Sequence, residues 1–409
     1  MKAKTENASS QAQPKLTVAW ISDFPLEWLP DLPEPLRLLP KQHPATWEMV
    51  LLSELEKNPA LQIHVLILRK EIEKDFRFER NGVVFHVLKV LPGLRAPSLF
   101  WLDTFLINRA LKKIKPDLVH AWGMEKGAAT VASRINYPNI VTLQGLFSWL
   151  AEISSASRYV RFIGMLERST FKRVQIATTE SKFGVCYLKS RYPQLDVVQA
   201  EHAPNLLFHK IERQPRTIPI RFVYIGSLSY AKGTDLLIRA LNHLRTEIPF
   251  ELVLISSTDQ NYLQKLKEMT SHEIWSRIEI KTHLHPEQVA RELSLATMLV
   301  FPTRADTSPN AVKESVVAGV PVIGSGVGGI PDYVFPNLNG LLFEAGNLQA
   351  LTQAIRSACE HPNFRKGLVN DETLKRTREY LSPKRMGENF LSIYETVLAK
   401  KTRPARLSF

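Results

Sequence analysis

Residues 301–334 read FPTRADTSPNAVKESVVAGVPVIGSGVGGIPDYV, and this stretch decides the fold. An apolar run ends at Phe301 and Pro302. A polar loop carrying Asp306 follows. Pro309 and Asn310 then open a helix bearing Glu314, and Gly319 closes it. Such a strand, loop and helix suit an anion. The amides of Asn310, Ala311 and Val312 lie at a helix N-terminus, where unpaired donors and the helix dipole favour a diphosphate. Glu314 sits one turn in, at a depth that suits ribose hydroxyls. Asp306 lies on the loop where a sugar would hang. The glycines at 324, 326, 328 and 329 allow a backbone to approach closely.

Upstream, residues 224–233 (YIGSLSYAKG) repeat the design. A strand runs into a turn at Gly226 and Ser227, and Lys232 precedes the next helix. That lysine is placed to neutralise a leaving diphosphate. Around these two stretches, short apolar runs alternate with helix-period segments from residue 16 onward. Apolar strands without polar alternation, separated by helices, predict a parallel sheet covered on both faces. The alternation restarts near residue 218, after a polar, proline-bearing segment. The predicted organisation is therefore a disordered leader at 1–14, a Rossmann-like domain at 15–207, a linker at 208–219 and a second Rossmann-like domain at 220–381. A last helix, 382–401, is expected to cross back onto the first domain. Two doubly wound units place a cleft between the carboxyl ends of their sheets.

Composition narrows the function. The chain has 409 residues, a net charge of +13, a pI of about 9.6 and two cysteines. Two lone cysteines give neither a disulfide framework nor a metal-ligand spacing, and a reducing, cytoplasmic setting is expected. The basic balance suits polyanions. With no zinc-finger spacing or arginine-rich tail, a nucleic-acid binder is not expected. Segments 99–115 and 158–172 combine apolar and basic residues. They suit either an anionic membrane surface, met peripherally at the inner face, or, respectively, a core helix and a solvated one.

The 301–334 stretch resembles the donor-site signature of the family 4 retaining glycosyltransferases, which have the GT-B fold. The spacing of Asp306 and Glu314 matches that family's paired acids, with Asp in place of the more frequent Glu. The segment 337–344 (NLNGLLFE) extends the match. The resemblance implies two Rossmann-like domains facing each other across a cleft. It implies metal-independent transfer of a hexose from a nucleotide-sugar, with uridine diphosphate favoured, and no cofactor beyond the donor. The acceptor would be a saccharide or lipid-linked molecule, in cell-surface polysaccharide or glycolipid synthesis. Asp306 and Lys232 would act at the reacting centre, and Glu314 on the ribose.

In the first half, DLVHAWG resembles the family's Asp-x-x-His strand, which implies that His120 lines the cleft as a third catalytic candidate. Gln144 stands where the family has His, and Ser227 where it often has Arg. His43 and Trp47 (in HPATW) are the remaining acceptor-side candidates. A same-fold epimerase or hydrolase, and a catalytically weak nucleotide-sugar-binding protein, are the alternatives. A dinucleotide dehydrogenase would want Gly-rich sequence after the first strand, where prolines stand instead.

Overall fold

The structure, a computed structural model, describes residues 15–40, 46–152, 156–256 and 260–402. The leader at 1–14 and His43 lie outside the described residues. Two sheets organise the rest. The first contains β1 (Leu16–Ile21), β2 (Leu61–Arg69), β3 (Phe76–Arg80), β4 (Val83–Lys89), β5 (Leu118–Trp122), β6 (Asn139–Thr142), β7 (Ile176–Thr179) and β8 (Asp196–Gln199). Their order is β3-β4-β2-β1-β5-β6-β7-β8. The second contains β9 (Ile220–Ile225), β10 (Phe250–Ile255), β11 (Ile278–Lys281), β12 (Met298–Phe301), β13 (Val322–Ser325) and β14 (Gly340–Phe343). Their order is β11-β10-β9-β12-β13-β14.

All pairings are parallel except β3 with β4. Helices cover both faces, so the central strands bury both rows of side chains: Val18, Ala19 and Trp20 in β1, and Phe222, Val223 and Tyr224 in β9, are all inaccessible. In each sheet the strand order reverses beside its first strand, between β1 and β5 and between β9 and β12. Crevices at the carboxyl ends form at such reversals.

The two sets of carboxyl ends face each other. Thr307, after β12, donates its hydroxyl to the Gln144 carbonyl after β6 at 3.4 Å. Asp332, in the second half, accepts from the Lys182 amide after β7 at 2.7 Å. Gly329 fits between the halves because it lacks a side chain: a Cβ there would stand 2.7 Å from Ser181 Cβ and 2.5 Å from the Thr307 carbonyl oxygen. Its neighbour Gly328 takes a left-handed φ of +59°, and a Cβ on it would meet the Asp306 carbonyl oxygen at 1.6 Å.

The last helix, Pro383–Thr402, begins with Ser382 accepting from the Arg385 amide at 3.2 Å. Met386, Phe390, Ile393, Tyr394 and Val397 recur at helical spacing and are buried in the core of the first sheet, with Trp20 and Trp122. Tyr394 receives the indole N–H of Trp20 at 3.1 Å, across 374 residues of sequence.

Candidate active site

The donor side is built where β9 and β12 end. The loops after them are stitched together: Arg304 donates its amide to the Ala231 carbonyl at 2.8 Å and holds Asp235 through two bonds of 2.7 Å. Its guanidinium also lies 3.8 Å over the Tyr230 ring. This fixes Lys232 against the 303–308 loop, and its Nζ meets Asp306 Oδ2 at 2.5 Å. Asp306 Oδ1 accepts from the Ser308 amide at 3.2 Å. Ser227 is exposed on the same turn, its carbonyl accepting the Tyr224 hydroxyl at 2.7 Å, and Gly226 donates to the Ile255 carbonyl at 3.0 Å.

The helix Asn310–Ala318 follows. The amides of Asn310 and Ala311 donate to nothing among the described residues. Val312 differs from expectation, because its amide turns back to the Pro309 carbonyl at 3.2 Å. The tight first turn consumes that donor and leaves two amides rather than three. The Glu314 carboxylate makes no hydrogen bond or ion pair among the described residues. Burial pushes its carboxyl up to about 8, only partly opposed by the Lys313 charge. Burial thus favours its protonated form when no ligand is bound.

His120 requires a correction. It is inaccessible, with Nδ1 2.7 Å from the Tyr394 hydroxyl and Nε2 2.6 Å from Thr142 Oγ1. Trp122 stacks on it with ring centroids 4.3 Å apart. Burial and the neighbouring His202 hold its pKa well below the usual range. It is a satisfied core histidine, packed between the first sheet and the last helix.

Gln144 does reach the cleft. Its carbonyl meets Thr307, and its side-chain amide donates to Glu48 Oε1 at 2.9 Å. Glu48 also accepts the Ser22 hydroxyl, and burial raises its carboxyl to about 8. Glu125, beyond the end of β5, is raised by burial to about 7. Burial thus shifts both acids near this end of the first sheet towards their protonated forms. Trp47 is half-buried and stacks on His202, with centroids 5.9 Å apart and planes 10° from parallel.

One group crosses the cleft that inspection of the sequence did not single out. Lys313, inaccessible on the Asn310–Ala318 helix, binds Glu180 after β7. Glu180 Oε1 lies 3.2 Å from His202 Nδ1. Burial alone would raise Glu180, but His202 and Lys313 together hold it down at about 2. Tyr333 donates to the Glu180 carbonyl at 3.0 Å and lies 3.0 Å from the Ser308 hydroxyl. The available signal was a lysine flanked by apolar and small residues, Ala311, Val312, Ser315 and Val316. Among the described residues, no three His, Cys, Asp or Glu side chains gather as a metal-binding group.

Comparison with known proteins agrees with this architecture. Residues 219–361 match the family model for glycosyl transferases group 1. An uncharacterized glycosyltransferase of Methanocaldococcus jannaschii is 24% identical over 324 residues, 78% of this chain and 82% of that one. Glycogen synthase of Mycobacterium tuberculosis is 28% identical over 152 residues, 37% of this chain and 36% of that protein. Among solved structures, sucrose-phosphate synthase from Thermosynechococcus elongatus superposes with a TM-score of 0.78 at 15% identity, over 94% of this chain and all of that one (100%). HepE of Anabaena, solved in complex with UDP, gives 0.66 at 13% identity, over 93% and 100%. The chain thus has the GT-B fold, is similar in sequence to glycosyltransferases, and matches the glycosyl transferases group 1 model over residues 219–361.

Proposed function

We propose that this protein transfers a hexose from a nucleotide-sugar, UDP-sugar favoured, to a saccharide or lipid-linked acceptor with retention at the anomeric carbon. The observation that carries the reading is the Lys232–Asp306 pair, set beside the two unpaired amides of Asn310 and Ala311. A diphosphate arriving at those amides competes for Lys232. Once released, the Asp306 carboxylate accepts from the sugar hydroxyls. The departing diphosphate is then met by Lys232 and the helix N-terminus, which need no metal to offset its charge. The acceptor hydroxyl attacks on the face the diphosphate leaves, through an oxocarbenium-like state, and passes its proton to the departing phosphate oxygen. UDP is favoured because HepE is solved with UDP and with UDP-glucose. Cell-surface polysaccharide or glycolipid synthesis, at the cytoplasmic side, fits such an acceptor.

The test is release of UDP from a panel of UDP-sugars, with and without acceptors. Acceptor-stimulated release that persists in EDTA, with the product's anomeric configuration unchanged by NMR, is expected. Release that EDTA abolishes and magnesium restores overturns the metal-free reading, and an inverted product overturns retention. Asp306→Asn should lower kcat by about ten- to a hundredfold, the loss of one charge-assisted hydrogen bond. Equal rates would remove Asp306 from the reacting centre.

A further inference from the structure

We propose that the rim of the first domain is a docking surface for an anionic lipid bilayer, formed by segment 91–102 with the helices Trp101–Ile114 and Arg158–Thr170. Leu91, Leu94, Trp101, Leu102 and Phe105 all face solvent, Phe105 with 66% of its surface and Trp101 with 57%. A run of large exposed side chains this dense is uncommon on a soluble protein that covers nothing. It is also held outward. Leu99 and Phe100 both take left-handed φ, +50° and +61°. Phe100 turns in against Gly127, while its neighbours stay out. Arg134 donates to the Leu99 carbonyl at 2.6 Å and lies 4.3 Å over the Trp101 ring.

Charge is sorted on the same two helices. Their only acids, Asp103 and Glu167, are both buried, Asp103 against Arg95 at 2.9 Å and Glu167 on the Phe147 amide at 2.7 Å. Their basic residues, Arg109, Lys112 and Lys113 on one and Arg158, Arg161 and Arg168 on the other, are all exposed. Both helices cover the same face of the first sheet, since Ile107, Leu111, Ile163 and Leu166 share one core cluster. The apolar end of this surface and the basic stripe therefore look outward together. That combination of aromatic and leucine side chains within a ring of cations matches an interfacial bilayer contact. A nucleic acid would use the cations but leave the leucines wet.

The surface adjoins the cleft. Arg95 donates to the Lys126 carbonyl at 2.9 Å, and the Tyr159 hydroxyl donates to the Glu125 carbonyl. Residues 123–127 follow the carboxyl end of β5. If the glycosyl-transfer reading holds, on which this clause alone rests, a lipid-linked acceptor reaches the first-domain crevice without leaving the bilayer.

Flotation of the full chain with vesicles tests the proposal. Vesicles of phosphatidylcholine and of phosphatidylcholine mixed with phosphatidylglycerol are compared. The chain should float with the mixed vesicles alone, and added salt should strip it. Trp101→Glu with Phe105→Glu should leave it at the bottom. Arg158→Ser, Arg161→Ser and Arg168→Ser should lower partitioning by about fivefold each. All five positions are exposed, so melting temperatures should stay at the parent value. A parent chain that floats with neither vesicle, or variants that float as it does, would overturn the proposal. So would a stable dimer that Phe105→Glu splits, or retention on RNA in preference to vesicles. Flotation reads no turnover, so its failure and the failure of the glycosyltransferase reading are separable.

Discussion

Burial favours the protonated form of Glu314 before any donor binds. Its carboxyl is raised to about 8, whereas two ribose hydroxyls donating to it would favour the carboxylate. Binding should therefore release a proton below pH 8. Donor affinity should tighten as pH rises towards 8 and then level off. Calorimetry in buffers of different ionisation enthalpy reads that proton. Glu314→Gln should abolish the pH dependence and weaken the plateau by about tenfold or more; an unchanged slope would remove Glu314 from the ribose. The same burial has a cost in the empty protein. Glu48, Glu125, Glu167 and Glu314 all have raised pKa values. At these four groups the folded state binds more protons than the unfolded one between the ordinary carboxyl value of 4.5 and about 8. Their contribution to stability falls as pH climbs through that window, opposed below 6.5 by buried histidines such as His86, held down at about 4. Glu180 works the other way: it is depressed to about 2, so its contribution is present above 4.5 and is lost as pH falls towards 2. Glu48→Gln should flatten the alkaline decline in a series of thermal melts. A decline as steep as the parent's would mean Glu48 is already ionised.

The last helix is the element with the widest reach. It supplies five buried side chains to the core of the first sheet and closes the back of His120. Phe390→Ala should cost about 3–5 kcal/mol, read by denaturant unfolding, and a chain stopped at residue 381 should lose the first domain rather than trim a tail. A truncated chain that melts like the parent would contradict this. The same helix explains where reading the sequence failed. His120 sits on a strand whose local pattern is shared by cleft histidines. Nothing nearby announces that Tyr394, 274 residues later, takes one of its nitrogens. By contrast β12, the Asp306 loop and the Asn310–Ala318 helix were legible because proline, asparagine and glycine punctuate them within a short window. So was the two-sheet plan, from apolar runs with helical spacers. The strands β7 (IATT) and β8 (DVVQ) were not. They are four residues each and rich in polar side chains, and are held by their neighbours more than by their own pattern. With β7 unseen, Glu180 at its end had no reason to stand out.

For the whole molecule, Lys313 and Glu180 form a buried ion pair across the cleft, alongside the Thr307–Gln144 and Lys182–Asp332 hydrogen bonds. Removing one partner of a buried pair strands the other charge, at a cost of about 3–5 kcal/mol to the closed arrangement. Lys313→Met alone should open the protein, read as a larger radius in small-angle scattering and a raised donor KM. Adding Glu180→Gln should recover much of the loss. If the single variant is as compact as the parent, the pair is ornamental to closure.

Any parting of the two halves must break this ion pair. While the halves are together both charges are dry; once they part, each is hydrated by solvent. Dissolved ions stabilise the parted charges and do little for the buried pair. A catalyst whose cycle waits on opening would then run faster as salt is first added, whereas one held at a charged bilayer would be shed by the same salt. If both proposals hold, ionic strength would act on this molecule in two opposed senses, hastening each release in solution while weakening its hold on a surface.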